Sequence, residues 1–134
     1  MSITMATIER SRPDLDAHAR ATRAAFPEVV AELRDGLGAR LVAYLAGVGE
    51  TRAVNEWTEG KRTPSDETQQ RLRFALRITI PIVAADSPEI AQAWFQGLNP
   101  QLEDRSPARL LREGALDEVG PMIVAAQRAF LVGG

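Results

Sequence analysis

The run from Leu41 to Pro64, LVAYLAGVGETRAVNEWTEGKRTP, constrains the fold more than any other part of the chain. Apolar Leu41, Leu45 and Val48 recur at helical intervals, with small Ala43 and Gly47 one turn apart. Small residues there let a second helix approach closely, and Gly47 can take the left-handed conformation that ends a helix. The pattern then repeats, with Val54 and Trp57 facing inward and Arg52, Asn55 and Glu56 outward. Gly60 stops the second helix and Pro64 prevents its resumption. Two short helices joined by a glycine-containing turn make a helix-turn-helix, whose second helix can enter the major groove of DNA. The same residues also fit a plain helical hairpin with Trp57 in its core.

A chain of 134 residues is enough for one compact domain, or for two small helical modules sharing a core. A composition 45% hydrophobic and 25% charged is that of a folded chain rather than a disordered one. The formal net charge of −2 excludes a strong non-specific nucleic-acid binder, so any DNA surface must be local. Lys61 is the only lysine, and arginine suits bidentate contacts to phosphate or guanine. The absence of cysteine excludes disulfides, cysteine-ligated zinc and a thiol nucleophile. His18 is the single histidine, and a metal site needs several convergent ligands. With no glycine-rich phosphate loop either, no catalytic residue, cofactor or metal is expected, and an enzyme is the weakest class. The first ten residues lack the apolar core of a signal peptide, and no segment has the unbroken apolar length of a membrane span. The chain therefore reads as cytoplasmic.

Taken in order, the sequence predicts an all-α protein. Residues 1–12 have no sustained period and are expected to form a flexible N-terminus. Pro13 opens a helix whose stripe is Leu15, His18, Ala19, Thr22 and Phe26. Pro27 begins the next, with Val30, Leu33 and Leu37 inward and an end loosened by Gly36 and Gly38. After the helix-turn-helix, Ser65 or Asp66 caps a longer helix that is apolar on opposite sides. Leu72, Ala75, Leu76 and Val83 form one of its stripes, and Phe74, Ile78 and Ile82 the other. It should be a spine shared between two modules or part of a dimer interface, kinked or broken at Pro81. Ser87 and Pro88 start a helix carrying Ile90, Ala93 and Trp94, which closes at Gly97. Asn99-Pro100 is a turn, Ser106-Pro107 opens a short helix, and Gly114 ends it. The last helix spans about Leu116 to Leu131, with Val119, Ile123, Ala126 and Phe130 on one face. Its first turn can shift to Pro121, and Val132-Gly133-Gly134 is expected to be a free tail.

Two stretches resemble a known family. The run Ala43…Gly47-Val48…Val54-Asn55-Glu56-Trp57…Gly60-Lys61-Arg62…Pro64 is similar to the Xre-type, phage-repressor-like helix-turn-helix, with Gly49-Glu50-Thr51 making the turn one residue longer. Trp94, Asn99-Pro100, Pro107-Ala-Arg-Leu110-Leu111 and Gly114 resemble the toxin-binding domain of the Xre/MbcA/ParS-like antitoxins. Where that family has a glycine before the arginine, this chain has acidic Glu103 or Asp104. The two resemblances cover roughly Gly38 to Phe130, in the order the family uses.

The resemblance implies a type II antitoxin that binds and blocks a RES-domain, NAD-consuming toxin and represses its own operon by DNA binding. It divides the chain into a helix-turn-helix module over 13–83 and a toxin-binding module over 87–134. It also implies roles for individual residues. Thr51, Arg52, Asn55, Glu56, Lys61 and Arg62 would meet operator DNA, in a homodimer. Arg105, Arg109, Arg112 and the end Leu131, Val132, Gly133 and Gly134 would meet the toxin, the end entering its active-site cleft. Trp57, Trp94, Pro100, Pro107, Leu110 and Leu111 would be structural. Read without the family, the same pattern fits a stand-alone helix-turn-helix regulator with a C-terminal dimerisation module. A third alternative keeps toxin binding and has lost DNA binding.

Overall fold

Three helices begin with the same local device, a serine whose hydroxyl accepts the backbone N–H three residues on. Ser65 accepts from Thr68 at 3.3 Å, Ser87 from Ile90 at 3.2 Å and Ser106 from Arg109 at 3.1 Å. Each satisfies a donor that a helix start would otherwise leave open. The second and third are reinforced by Pro88 and Pro107, whose missing N–H is no loss in a first turn. The computed structural model describes residues 13–133, so the expected flexible segment 1–12 and Gly134 lie outside the described residues.

In chain order the elements are α1 (Pro13–Arg23), α2 (Phe26–Leu37), α3 (Ala39–Ala46), α4 (Thr51–Thr58), α5 (Asp66–Ala85), α6 (Pro88–Gln96), a 3₁₀ turn (Pro100–Leu102), α7 (Pro107–Glu113) and α8 (Leu116–Gly133). The all-α architecture is the one the sequence predicts. The long α5 is the spine: α1, α2, α3, α6 and α8 all pack on it. Leu72, Ala75, Leu76, Ile78 and Ile82 are buried around it, and the buried residues of both halves form one cluster from Ala21 to Ala126.

Pro81 does not break α5, which continues to Ala85 with Pro81 buried. Proline cannot donate to the carbonyl of Arg77 and crowds the ladder beside it. The neighbouring carbonyl of Ile78 takes a hydrogen bond from Gln127 Nε2 of α8 at 2.8 Å, and Gln127 is itself buried. The C-terminal helix therefore supplies a donor at the place where the spine is disturbed.

Four expectations are corrected by packing. On α1, Leu15 is 50% exposed and His18 is exposed, whereas Ala17 and Ala21 are buried. Small side chains let α1 lie close to α5, where Arg73 Nη1 donates to the carbonyls of Ala21 (3.0 Å) and Ala24 (2.7 Å). Gly36 does not loosen α2; it is buried there, since a Cβ would come within 3.3 Å of Thr79 Cγ2. In α6 the buried side is Ala91, Trp94 and Phe95, with Ala93 exposed. Finally, α8 begins at Leu116, includes Pro121, and continues through Gly133, so Val132 and Gly133 are its last turn rather than a free tail.

Candidate interaction surfaces

The helix-turn-helix is formed by α3 and α4. Gly47, at φ 80°, ends α3 in the left-handed conformation, and four residues, Gly47 to Glu50, connect to α4. Gly60, at φ 73°, follows α4. Trp57 is 2% exposed, as expected, but its ring neighbour is Phe26 of α2, with centroids 6.3 Å apart. α4 packs on α2 and α3.

The outward face of α4 gathers the residues the sequence singles out. Thr51, Arg52, Asn55, Glu56 and Lys61 line one depression with Glu59, and Arg52, Glu56 and Arg62 line another with Glu50. Its charges are largely matched internally. Arg52 Nε pairs with Glu56 at 3.2 Å and Lys61 Nζ with Glu59 at 2.7 Å. The hydrogen bond and charge of Glu59 hold the Lys61 ammonium above its ordinary pKa, so it is fully charged at neutral pH. Asn55 Oδ1 accepts from Arg34 Nη1 at 3.1 Å, which fixes the amide while leaving its NH₂ outward-capable. Glu50, Glu56 and Glu59 thus offset Arg52, Lys61 and Arg62.

The three C-terminal arginines are not gathered into one patch. Arg105 Nε donates to the carbonyl of Leu102 in its own turn, at 3.0 Å. Arg109 Nε pairs with Glu113 at 3.0 Å. Arg112 reaches across the molecule, donating to the carbonyl of Tyr44 at 2.8 Å with its guanidinium 4.6 Å from that ring's centroid. It ties α7 to α3, as Arg71 ties α5 to the carbonyls of Leu45 and Ala46. Both arginines thereby give donors to carbonyls in the last turn of one helix, α3.

The turn before α7 has a strained backbone. Asn99 and Arg105 form an isolated antiparallel bridge, and between them Glu103 and Asp104 stand at φ 57° and 61°. This is the left-handed region that favours glycine, where the family pattern has one. Trp94, Pro107, Leu110 and Leu111 are buried, and Pro100 is exposed at the start of its 3₁₀ turn. Leu131, Val132 and Gly133 are exposed.

Sequence reasoning missed a groove between the end of α6, the Asn99-Pro100 turn and α8. Trp94, Leu98, Pro100, Ala126, Ala129 and Phe130 are among its lining residues, which include no charged side chain. Its signal was present in the sequence: Met122, Ala125, Ala129 and Val132 recur at intervals of three, four and three residues, and all are exposed. Among the described residues, no group of three or more His, Cys, Asp or Glu side chains is placed to hold a metal ion, and no helix is long and apolar enough to cross a membrane.

No family model matches the chain, and no curated protein matches it. A solved structure does, a chain of the M. tuberculosis MbcT-MbcA toxin-antitoxin complex. The match has a TM-score of 0.61 and 25% sequence identity, covering 79% of this chain and 96% of that one. Its N-terminal helices packed against C-terminal helices, all-α throughout, make this chain a structural homologue of the MbcA antitoxin, with a fold consistent with Xre/MbcA-type antitoxins.

Proposed function

We propose that the protein is an antitoxin, not an enzyme, that binds and blocks a RES-domain, NAD-consuming toxin and represses its own operon. The observation that carries this reading is the fold match across nearly the whole length of a chain from a toxin-antitoxin complex. The residue patterns at Trp94 to Gly114 and at Ala43 to Pro64 support it independently. Toxin contact is assigned to the 87–134 module, including Arg105, Arg109 and the exposed end from Leu131 to Gly134, and DNA contact to the 13–83 module, as a homodimer.

The charge balance of the α4 face qualifies the DNA role. Arg52 and Lys61 must exchange a carboxylate for a phosphate or base edge on binding, so a single face binds weakly and a symmetric pair is needed for specificity. Replacing Lys61 should weaken binding to all sequences and lower the salt slope by about one unit.

The test is co-expression with the product of the neighbouring gene, expected to be a RES-domain protein, followed by pull-down and an NAD assay. Full-length chain should co-purify and restore NAD. Removing Leu131 to Gly134 should leave a complex that inhibits less completely. Failure of the full-length chain in both assays overturns the antitoxin reading in favour of a stand-alone regulator. Footprinting on the protein's own promoter, with and without the toxin, tests the DNA role separately, and no protection in either case removes it.

A further inference from the structure

The groove beside α8 differs from the other depressions described on this molecule, each of which includes charged side chains in its lining. Its floor is aromatic: Trp94 lies 6.4 Å from Phe130 and 5.3 Å, edge-on, from Phe95. Its lip is Leu98, 76% exposed, a large apolar side chain that folding has left in water. The stripe Met122, Ala125, Ala129 and Val132 continues the apolar surface along α8, and Val132 is 89% exposed. Their spacing is that of a helix-packing seam, and its two alanines permit close approach. The indole N–H of Trp94, like that of Trp57, is buried without an acceptor among the described residues. A volume near 350 Å³ lies within the range of small-molecule sites, but no charged or hydroxyl side chain converges there to orient a small ligand.

The electrostatic surroundings select the occupant. The wall turn carries exposed Glu103 and Asp104. α6 ends at the groove, at Gln96, with no basic residue in its last turn. Its carbonyl end adds partial negative charge. Arg128 falls on the side of α8 opposite Ala126 and Phe130, beside the Ala125 and Val132 end of the stripe, and half-buried Arg105 is held by the carbonyl of Leu102, so the acidic groups are Glu103 and Asp104 of the turn. A second copy seated here by two-fold symmetry would set this acidic rim against itself.

We propose, resting on the antitoxin reading, that this groove seats a segment of the toxin that is apolar on one side and carries Lys or Arg at its edge. The segment covers Leu98 and packs along the Met122–Val132 stripe, while its cations meet Glu103, Asp104 and the end of α6.

The experiment measures affinity of the purified chain, with Leu98→Lys and Leu98→Asp, for the toxin that the co-expression test captures, both substitutions being at a position too exposed to disturb folding. Leu98→Lys should weaken binding at least about tenfold, the level of an interface anchor. Leu98→Asp should weaken it less, and Glu103→Gln with Asp104→Asn should flatten the salt dependence. Ala129→Glu is the second variant on the α8 wall and should also lose affinity, with circular dichroism showing an intact fold. Unchanged binding by Leu98→Lys, or a greater loss with Leu98→Asp, overturns the proposal while leaving the antitoxin reading standing. So does sedimentation showing a dimer of the chain alone that Leu98→Lys converts to monomer. If the unmodified chain does not bind the toxin at all, the antitoxin reading itself has failed.

Discussion

On the outer face of α4, Arg52 and Lys61 each meet a glutamate of the same face, whereas the groove between α6 and α8 has no charged side chain in its lining and exposes Leu98. The two surfaces lie on one continuous core. They differ in what a partner must do. On α4 a ligand competes with ion pairs that already satisfy the charges, so the gain is a difference between two similar electrostatic states. At the groove a partner removes apolar surface from water, and nothing in the chain has to be given up. A charged face is thus not evidence of a charged ligand until its internal pairs are known, and an uncharged groove on a chain that is one quarter charged is the more informative surface.

The largest expected effect tests whether both surfaces stand on equally rigid floors. Trp57→Ala and Trp94→Ala should each destabilise by about 3–5 kcal/mol through cavity formation, measured by urea unfolding. A Trp94→Ala cost well under that of Trp57→Ala would mean that the groove floor is pliable and the comparison uneven. Fluorescence quenching should find both indoles shielded, and an accessible Trp57 would sink the helix-turn-helix packing.

Gln127→Ala comes next. It should cost about 1 kcal/mol by removing the buried hydrogen bond to the carbonyl of Ile78, and it should loosen α8, one wall of the groove, without altering α4. Amide exchange at α8 and α4 separates those outcomes, and equal loosening of both would show that the two surfaces are not independent. Asp104→Gly acts in the other direction. Relief of a left-handed backbone should stabilise by about 1 kcal/mol, read as a higher melting temperature, while removing one acidic group from the groove rim. The smallest effect belongs to the exposed Arg52–Glu56 pair, whose double-mutant cycle should give a coupling of about 0.5 kcal/mol or less. A coupling above about 1 kcal/mol would make the α4 face a rigid structural feature, not a surface open to exchange.

The helices and their ends were legible in the sequence because capping is local chemistry. Ser65, Ser87 and Ser106 satisfy donors three residues away, Pro88 and Pro107 need no N–H, and Gly47 takes the left-handed turn, whatever packs nearby. The two-sided α5 was legible for a similar reason, since a helix apolar on both sides has to be covered on both. Thr51, Arg52, Asn55 and Glu56 lie close together because neighbours on one short helix share a face, and Lys61 and Arg62 follow just after it.

Other features were decided only in three dimensions. The choice of Ala17 and Ala21 over Leu15 as the buried side of α1 depends on how closely α5 approaches, which hydrophobicity does not encode. Arg112, a toxin contact by resemblance, donates to the carbonyl of Tyr44 once α7 lies beside α3, and no local pattern marks Gln127 for burial against the spine near Pro81. The pairing of Arg52 and Lys61 depends on side-chain geometry, and the groove exists only because α6 and α8 converge beside the Asn99 turn. Local sequence determines where helices start and stop because the groups involved lie within a turn of one another. Which of their faces become surfaces is settled by contacts between segments far apart in the chain, and those arise only on folding.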